Sequence, residues 1–323
     1  MIRLLLAPME GMVDDVMRDV LTRPGGYDHC VTEFVRISGS LLPARCYTRV
    51  SPELENGGRT YAGTPVRVQL LGSDPACMAD NAARLASLAP PGIDLNFGCP
   101  APTVNRHRGG AALLGEPELL FQIASAVRAA VPRSIPFTAK MRLGIQDASR
   151  AEECARALAE GGVDELVIHA RTKEDRYKPP AYWSEIARIA ERVAVPIVAN
   201  GEVWTVEDWA RCRAESGCVD VMLGRGAVAD PFLARRIRGE APPSLDACWA
   251  ELLELLALYW RRVLIKLDAR HAPGRIKQWL HLLERNYPQA KRLLEEVRPL
   301  RDADLVADVM RNHGVPIAVG VAS

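Results

Sequence analysis

Short apolar runs recur eight times between Leu4 and Leu223, and stretches with helical spacing of apolar residues alternate with them. A short apolar run bounded by turn residues suits a buried parallel strand. Alternation of such strands with helices is typical of repeated β-α units around a parallel sheet, and eight units predict a closed TIM barrel. The predicted strands are Leu4 to Ala7, His29 to Glu33, Pro65 to Gln69, Ile93 to Asn96, Phe137 to Met141, Glu165 to His169, Pro196 to Ala199 and Val219 to Leu223.

The pattern changes after Gly239, and the 323 residues exceed the roughly 250 that a TIM barrel needs. Ala241-Pro242-Pro243 is typical of a linker, and only helical spacing follows it. We therefore predict an α/β fold with a TIM-barrel domain at residues 1–240 and a small all-helical domain at residues 244–323. The predicted helices of the second domain are Leu245 to Leu267, Arg275 to Arg285 and Lys291 to Arg298.

Composition narrows the class of protein. The N-terminal apolar run is too short for a signal peptide or a membrane span. The eight cysteines are scattered, with no CxxC pair, so we expect no metal site and reduced thiols in a cytoplasm. A net charge of +1 gives no sign of a polyanionic partner when averaged over the whole chain, although a polarised surface can hide in such an average.

Polar residues close nearly every predicted strand. Because TIM-barrel active sites lie at the carboxyl ends of the strands, these residues form the candidate site. The glycines after strands seven and eight either serve tight turns or let backbone N–H groups approach a phosphate. The candidates are Pro8, Met9, Glu10, Gln69, Asn96, Lys140, His169, Asn200, Gly201, Glu202, Gly224 and Arg225.

Individual residues leave alternatives open. Lys140 either meets an anionic ligand or pairs with Asp94 or Glu202, since a buried ammonium is costly alone. Gln69 either presents its amide to an imide edge such as that of a flavin or caps a strand. Cys99 lies in a Gly-Cys-Pro turn just beyond a strand, so its thiol is predicted to be accessible and, being mainly protonated at neutral pH, able to act as a general acid.

Several motifs together resemble the tRNA-dihydrouridine synthase family, and the resemblance spans nearly the whole chain. The bacterial C-type members are the most similar subfamily through Thr32-Glu33-Phe34-Val35-Arg36 and Arg275-Ile276-Lys277-Gln278-Trp279-Leu280. The family motifs are Leu6-Ala7-Pro8-Met9-Glu10-Gly11, Asp94-Leu95-Asn96-Phe97-Gly98-Cys99-Pro100, Lys140-Met141-Arg142-Leu143-Gly144, His169-Ala170-Arg171-Thr172, Asn200-Gly201-Glu202 and Gly224-Arg225-Gly226.

The resemblance implies a flavin-dependent oxidoreductase that reduces the C5=C6 bond of a D-loop uridine, uridine 16 in the C-type enzymes. It implies hydride transfer from reduced FMN to C6, proton donation to C5 by Cys99, and NADPH as reductant. The absence of a GxGxxG fingerprint agrees with transient use of NADPH. The FMN ligands implied by the match are Pro8, Met9, Glu10, Gln69, Lys140, His169, Asn200, Gly201, Glu202, Gly224 and Arg225.

A tRNA substrate calls for a basic surface. Between Tyr259 and Arg301 basic residues outnumber acidic ones, which is the electrostatic footprint expected for RNA phosphates. Asn96 is either a contact to the uracil edge or a buried turn residue, and Arg36 and Tyr177 either extend the RNA surface or are ordinary surface residues. The predicted tRNA contacts are Arg36, Asn96, Tyr177, Arg275, Lys277 and Arg298.

Two other functions are compatible with part of the sequence. The barrel residues alone would permit an FMN-dependent enzyme acting on a free pyrimidine, like dihydroorotate dehydrogenase, but the basic helical region argues against it. A noncatalytic tRNA-binding protein is the other alternative, and the presence of both Cys99 and Lys140 argues against that. We expect no membrane attachment and no obligate protein partner.

Overall fold

The computed structural model describes residues 2–106, 108–241 and 244–318. The chain divides into two compact units, one of Met1–Asp15 with Tyr27–Gly224 and one of Val16–Gly26 with Arg225–Ser323. Pro242 and Pro243 of the predicted linker, and positions 319–323 of the predicted helical domain, lie outside the described residues.

In the described part of the first unit, eight parallel strands close into a barrel in chain order, which confirms the predicted fold. Most strands begin and end within one residue of their predicted limits, but β2 continues past Glu33 to Arg36, with an irregularity in register between Val31 and Phe34. The strands are β1 (Leu4–Leu6), β2 (His29–Arg36), β3 (Val66–Leu71), β4 (Ile93–Phe97), β5 (Phe137–Arg142), β6 (Glu165–His169), β7 (Ile197–Asn200) and β8 (Asp220–Leu223).

Helices follow the strands and cover the barrel. Alternate strand residues point inward, and one buried apolar cluster joins Leu5, Val31, Val167, Val198 and Met222 from five strands. The helices from α1 to α8 are α1 (Asp15–Thr22), α2 (Ala44–Val50), α3 (Pro75–Ala86), α4 (Pro102–Asn105), α5 (Pro117–Ala130), α6 (Ala151–Glu160), α7 (Trp183–Ala190) and α8 (Val206–Ser216).

The segment between Gly39 and Thr64 is more regular than its sequence suggests. It contains α2 and a 3₁₀ turn at Pro52–Asn56. Tyr47 of α2 is fully buried, and its hydroxyl donates a 2.7 Å hydrogen bond to Asn81 Oδ1 on α3. A tertiary contact of this kind stabilises a helix too short to be stable alone.

The second unit is helical beyond Gly224. Tyr259 and Trp279 pack edge to face at 4.9 Å in its core, and the Trp279 indole N–H donates to the Val228 carbonyl at 3.1 Å. Helix α14 is begun by Asp302, whose carboxylate accepts from the Asp304 and Leu305 amides. The helices are α9 (Arg225–Ala229), α10 (Leu233–Ile237), α11 (Trp249–Lys266), α12 (Ala272–Leu283), α13 (Pro288–Val297) and α14 (Ala303–Asn312). None of the described helices is long and apolar enough to cross a bilayer.

Candidate active site

The strand register brings predicted site residues together at the carboxyl end of the barrel. Asn96 of β4 lies beside Lys140 of β5, and His169 of β6 lies beside Asn200 of β7. Arg142, two residues after Lys140, is paired in register with His169. The polar strand ends therefore form one cluster, as the TIM-barrel prediction requires.

The peptide that carries the Cys99 thiol is held on both sides. Its N–H donates to Asn96 Oδ1 at 2.9 Å, and the neighbouring Gly98 N–H donates to the same oxygen at 3.0 Å. Its carbonyl accepts from Asn105 Nδ2 and from the Ala111 amide, each at 3.0 Å. Cys99 thus lies in a loop whose backbone is fixed by hydrogen bonds.

The same loop depends on one glycine. Gly110 has φ of +62°, and a Cβ at this position would lie 2.7 Å from the Cys99 carbonyl oxygen. A side chain there would displace the Cys99 peptide. The Cys99 thiol itself is half-buried; burial raises its pKa, and the charge of Glu10 adds to the rise. The thiol is consequently protonated at neutral pH, as a proton donor must be.

Arg142, the last residue of β5, connects the loops that follow β4 and β6. Its guanidinium donates to the Gly98 carbonyl at 2.7 Å and to the Thr172 carbonyl at 2.9 Å, and it lies over the Tyr177 ring at 5.3 Å. Tyr177 in turn meets the His169 ring edge to face at 6.3 Å and is 53% exposed. The Tyr177 ring is therefore held in place while much of it remains accessible.

Lys140 carries the most perturbed lysine amine of the barrel. Burial and, to a smaller extent, the nearby Arg142 charge lower its pKa to about 7, with Asp94 acting in the opposite direction. Within the described residues no carboxylate lies within ion-pair distance of its Nζ, so neither Asp94 nor Glu202 is the partner considered above. An anionic ligand would remove the cost of burying this cation.

The turn after β7 has two successive residues with positive φ, Gly201 at +118° and Glu202 at +57°. The fully buried Arg171 forms an ion pair with Glu202, and the Trp204 indole N–H donates to the other Glu202 oxygen at 3.0 Å. Trp183 Nε1 donates to the Gly201 carbonyl at 2.9 Å. These contacts hold an unfavourable backbone conformation at a turn where barrels commonly bind phosphate.

Comparison with known proteins decides the family: residues 5–297 match Dihydrouridine synthase (Dus). The chain belongs to this family. It is 60% identical over 313 residues to the tRNA-dihydrouridine(16) synthase of Ralstonia nicotianae, covering 97% of this chain and 96% of the relative. It is 59% identical over 318 residues to the enzyme of the same name from Cupriavidus necator, covering 98% of each.

A solved structure of an old yellow enzyme homologue from Zymomonas mobilis shares the fold. It aligns with a TM-score of 0.50 at 14% identity, covering 74% of this chain and 89% of that one. At this identity the likeness supports the barrel architecture alone.

The remaining predicted cofactor ligands of this Dus-family chain differ in their burial and in their contacts. Gln69 is fully buried, and its amide is engaged by Asp94 and Asn96. Glu10 lies just beyond β1 and is exposed as a whole residue. Partial burial of its carboxyl and the charge of Glu33 raise the pKa of that group. Gly224 has open space, since a Cβ there would approach only the Met9 sulfur, at 4.0 Å. Pro8 lies between β1 and Met9, and Arg225 begins α9.

The predicted tRNA contacts are distributed over both units. In the first unit, Arg36 is exposed at the end of β2. In the second, Arg275 Nη1 donates to Gln278 Oε1 at 3.1 Å, and Lys277 Nζ donates to the Leu300 carbonyl. Arg298 is exposed at the end of α13. Intramolecular hydrogen bonds thus occupy part of the donor capacity of Arg275 and Lys277.

Sequence reasoning assigned no role to four structural contributors, Asn105, Arg142, Arg171 and Trp183. Arg142 and Arg171 stand in the family motifs quoted above and could have been singled out as arginines at or just after the ends of apolar runs. Asn105 and Trp183 carry no such signal, because their roles depend on which carbonyls the folded loops bring within reach, those of Cys99 and Gly201. Across the described residues, no group of His, Cys, Asp and Glu side chains could hold a metal ion, and no disulfide joins the cysteines.

Proposed function

We propose that this chain reduces the C5=C6 bond of uridine 16 in the D-loop of tRNA to dihydrouridine. The geometry that carries the proposal is the Cys99 loop, which holds a protonated thiol at the carboxyl end of a barrel. The choice of uridine 16 rests on the relatives, whose identity of about 60% extends over nearly the whole chain.

FMN fits the residues at the barrel mouth. Lys140 lacks an ion-pair partner among the described residues, and Gly224 leaves the backbone after β8 open to close approach, whereas a Cβ at Gly201 would meet the His169 ring at 3.4 Å. Lys140 would oppose negative charge on the flavin ring, and the turns at Gly201 and Gly224, with Arg225 next in the chain, would hold the phosphate. The flavin supplies the hydride, with NADPH as its reductant.

The chain's own groups then serve the uracil. Cys99 donates the proton to C5, because its raised pKa keeps the thiol protonated until the ring accepts charge. The target base must leave the folded tRNA to reach the barrel mouth, at a cost of a few kcal/mol. Tyr177, accessible and fixed by Arg142, offers a ring for stacking, and Arg36, Arg275, Lys277 and Arg298 supply phosphate contacts that offset the cost.

The residues divide between two proposed domains. Residues 1–240 would hold the flavin and the uracil, and residues 244–323 would bind tRNA. A tRNA substrate also favours a cytoplasmic enzyme.

The decisive experiment uses purified protein, FMN, NADPH and an unmodified tRNA transcript, with dihydrouridine mapped at nucleotide resolution. We expect the product at position 16 and none in a transcript with cytidine there. Parallel reactions with free uridine and orotate, both of which retain the C5=C6 bond that NADPH would reduce, test the small-substrate alternative. Product at another tRNA position would refute the uridine-16 assignment, and turnover of the free pyrimidine alone would refute the RNA substrate.

A further inference from the structure

A continuous chain of side-chain hydrogen bonds joins a buried carboxylate to the Cys99 loop. Asp94 Oδ2 accepts from Gln69 Nε2 at 2.7 Å, and Gln69 Oε1 accepts from Asn96 Nδ2 at 2.6 Å. Asn96 Oδ1 then accepts from the amides of Gly98 and Cys99. Asp94, Gln69 and Asn96 are 1%, 0% and 8% exposed, so water does not compete for these bonds.

The chain has one direction, because Asp94 accepts at one end and the Gly98 and Cys99 amides, which can only donate, lie at the other. Both Asp94 oxygens act as acceptors, one from Gln69 and the other from the Thr138 hydroxyl at 2.6 Å. An acceptor at this point requires Gln69 to turn its NH₂ toward Asp94 and its oxygen toward Asn96. Asn96 must then turn its own NH₂ toward Gln69, which leaves its oxygen facing the Cys99 loop.

We propose that Asp94 is a positioning residue for Cys99 and acts through the amide orientations of Gln69 and Asn96. The inference rests on the proposed role of Cys99 as proton donor. It assigns the Asn96 amide mainly to the loop. The Asn96 oxygen accepts from two backbone amides, and one Asn96 N–H donates to Gln69, so at most one N–H remains to contact a base. Gln69 likewise retains one N–H and one lone pair for the flavin.

Removing the acceptor at one end tests its contribution. Asp94→Val is similar in size to the native residue but gives the Gln69 NH₂ no acceptor, and an unsatisfied buried donor is costly. Gln69 should then leave its native position to find another partner, and Asn96 should lose its bond to Gln69. The Cys99 loop should consequently lose hydrogen-bond protection.

Two variants serve as matched controls. In Asp94→Asn, the side-chain oxygen can accept from Gln69 while its NH₂ donates to the Thr138 hydroxyl, so Gln69 and Asn96 keep their native orientations. Thr138→Val removes a bond to Asp94 and leaves the acceptor for Gln69 in place.

The measurement is amide hydrogen exchange, resolved to Gly98 and Cys99, on protein free of cofactor and tRNA. Asp94→Val should accelerate exchange at both amides by about tenfold or more, the scale of one lost buried hydrogen bond. Asp94→Asn and Thr138→Val should both stay within about threefold of wild type; these margins follow from the same energy scale.

Wild-type exchange in Asp94→Val would overturn the proposal, as would exchange accelerated to the same extent in Asp94→Asn. If Asp94→Val does not fold, Gln69→Met decides, because it removes the next link of the chain: accelerated exchange at both amides supports the ordered chain, and wild-type exchange contradicts it. Because no cofactor or substrate is present, this result is independent of whether the enzyme makes dihydrouridine.

Discussion

Lys140 should take up a proton when FMN binds. Burial lowers the pKa of its amine to about 7 in the cofactor-free protein, whereas an adjacent anion would raise it well above neutrality. At pH 8 a group with this pKa is about 10% protonated, so binding should be coupled to uptake of about 0.9 proton; at pH 7 the uptake should be about 0.5.

The sign follows from linkage. Because protons are taken up, the association constant for FMN should fall as the pH rises above about 7, by nearly tenfold between pH 8 and pH 9. Lys140→Met should remove this pH dependence and weaken FMN at pH 7 by roughly 10- to 100-fold, the scale of one charge-assisted hydrogen bond. Lys291→Met, at an exposed lysine of α13, should change neither.

The assay is isothermal titration calorimetry of FMN into cofactor-free protein, in buffers with different ionisation enthalpies. Working above pH 7.5 avoids the titration of a phosphate monoester near pH 6. A wild-type uptake near zero at pH 8, or an equal uptake in Lys140→Met, would refute the assignment of the anion contact to this lysine.

Cys99→Ala should retain NADPH-driven flavin reduction but slow single-turnover reoxidation by tRNA about 10²- to 10⁴-fold, and Cys99→Ser should rescue poorly; a wild-type rate would exclude the thiol as the acid. Replacing Arg275 and Lys277 together by alanine should weaken tRNA binding and lower the log–log salt slope by about 0.7 to 0.9 for each lost phosphate contact, with unchanged FMN content; an unchanged slope would assign both to helix packing. Tyr287→Phe should lower the free energy of unfolding by about 1 to 3 kcal/mol in chemical denaturation, because it removes a buried 2.9 Å hydrogen bond to Asp230; a change below about 0.5 kcal/mol would mean that Asp230 is satisfied without it.

The strands of the barrel could be predicted because the burial of each strand is visible in the residues of that strand alone. A strand covered on both faces must be apolar over its whole length, so Glu165 to His169 is visible as a run and its limits are confirmed. The segment Val16–Gly26 shows the limit of this reasoning. It groups with the helical unit, where Asp19 accepts from Arg262, 243 positions later, at 2.8 Å. No local pattern encodes that pairing.

In the candidate site, too, the sequence predicts where residues lie but not which groups they bond to. Strand parity and the barrel rule are enough to bring Gln69, Asn96 and Lys140 to one end of the molecule. They do not decide whether an amide meets a ligand or a neighbour, because an amide can present either end and its orientation depends on every group bonded to it. Asp94 has no such freedom when ionised, and both its oxygens accept. The orientation of the whole chain therefore follows from the buried carboxylate at one end and the backbone amides of Gly98 and Cys99 at the other, although the sequence position of Asp94 marks it only as one more residue inside an apolar strand.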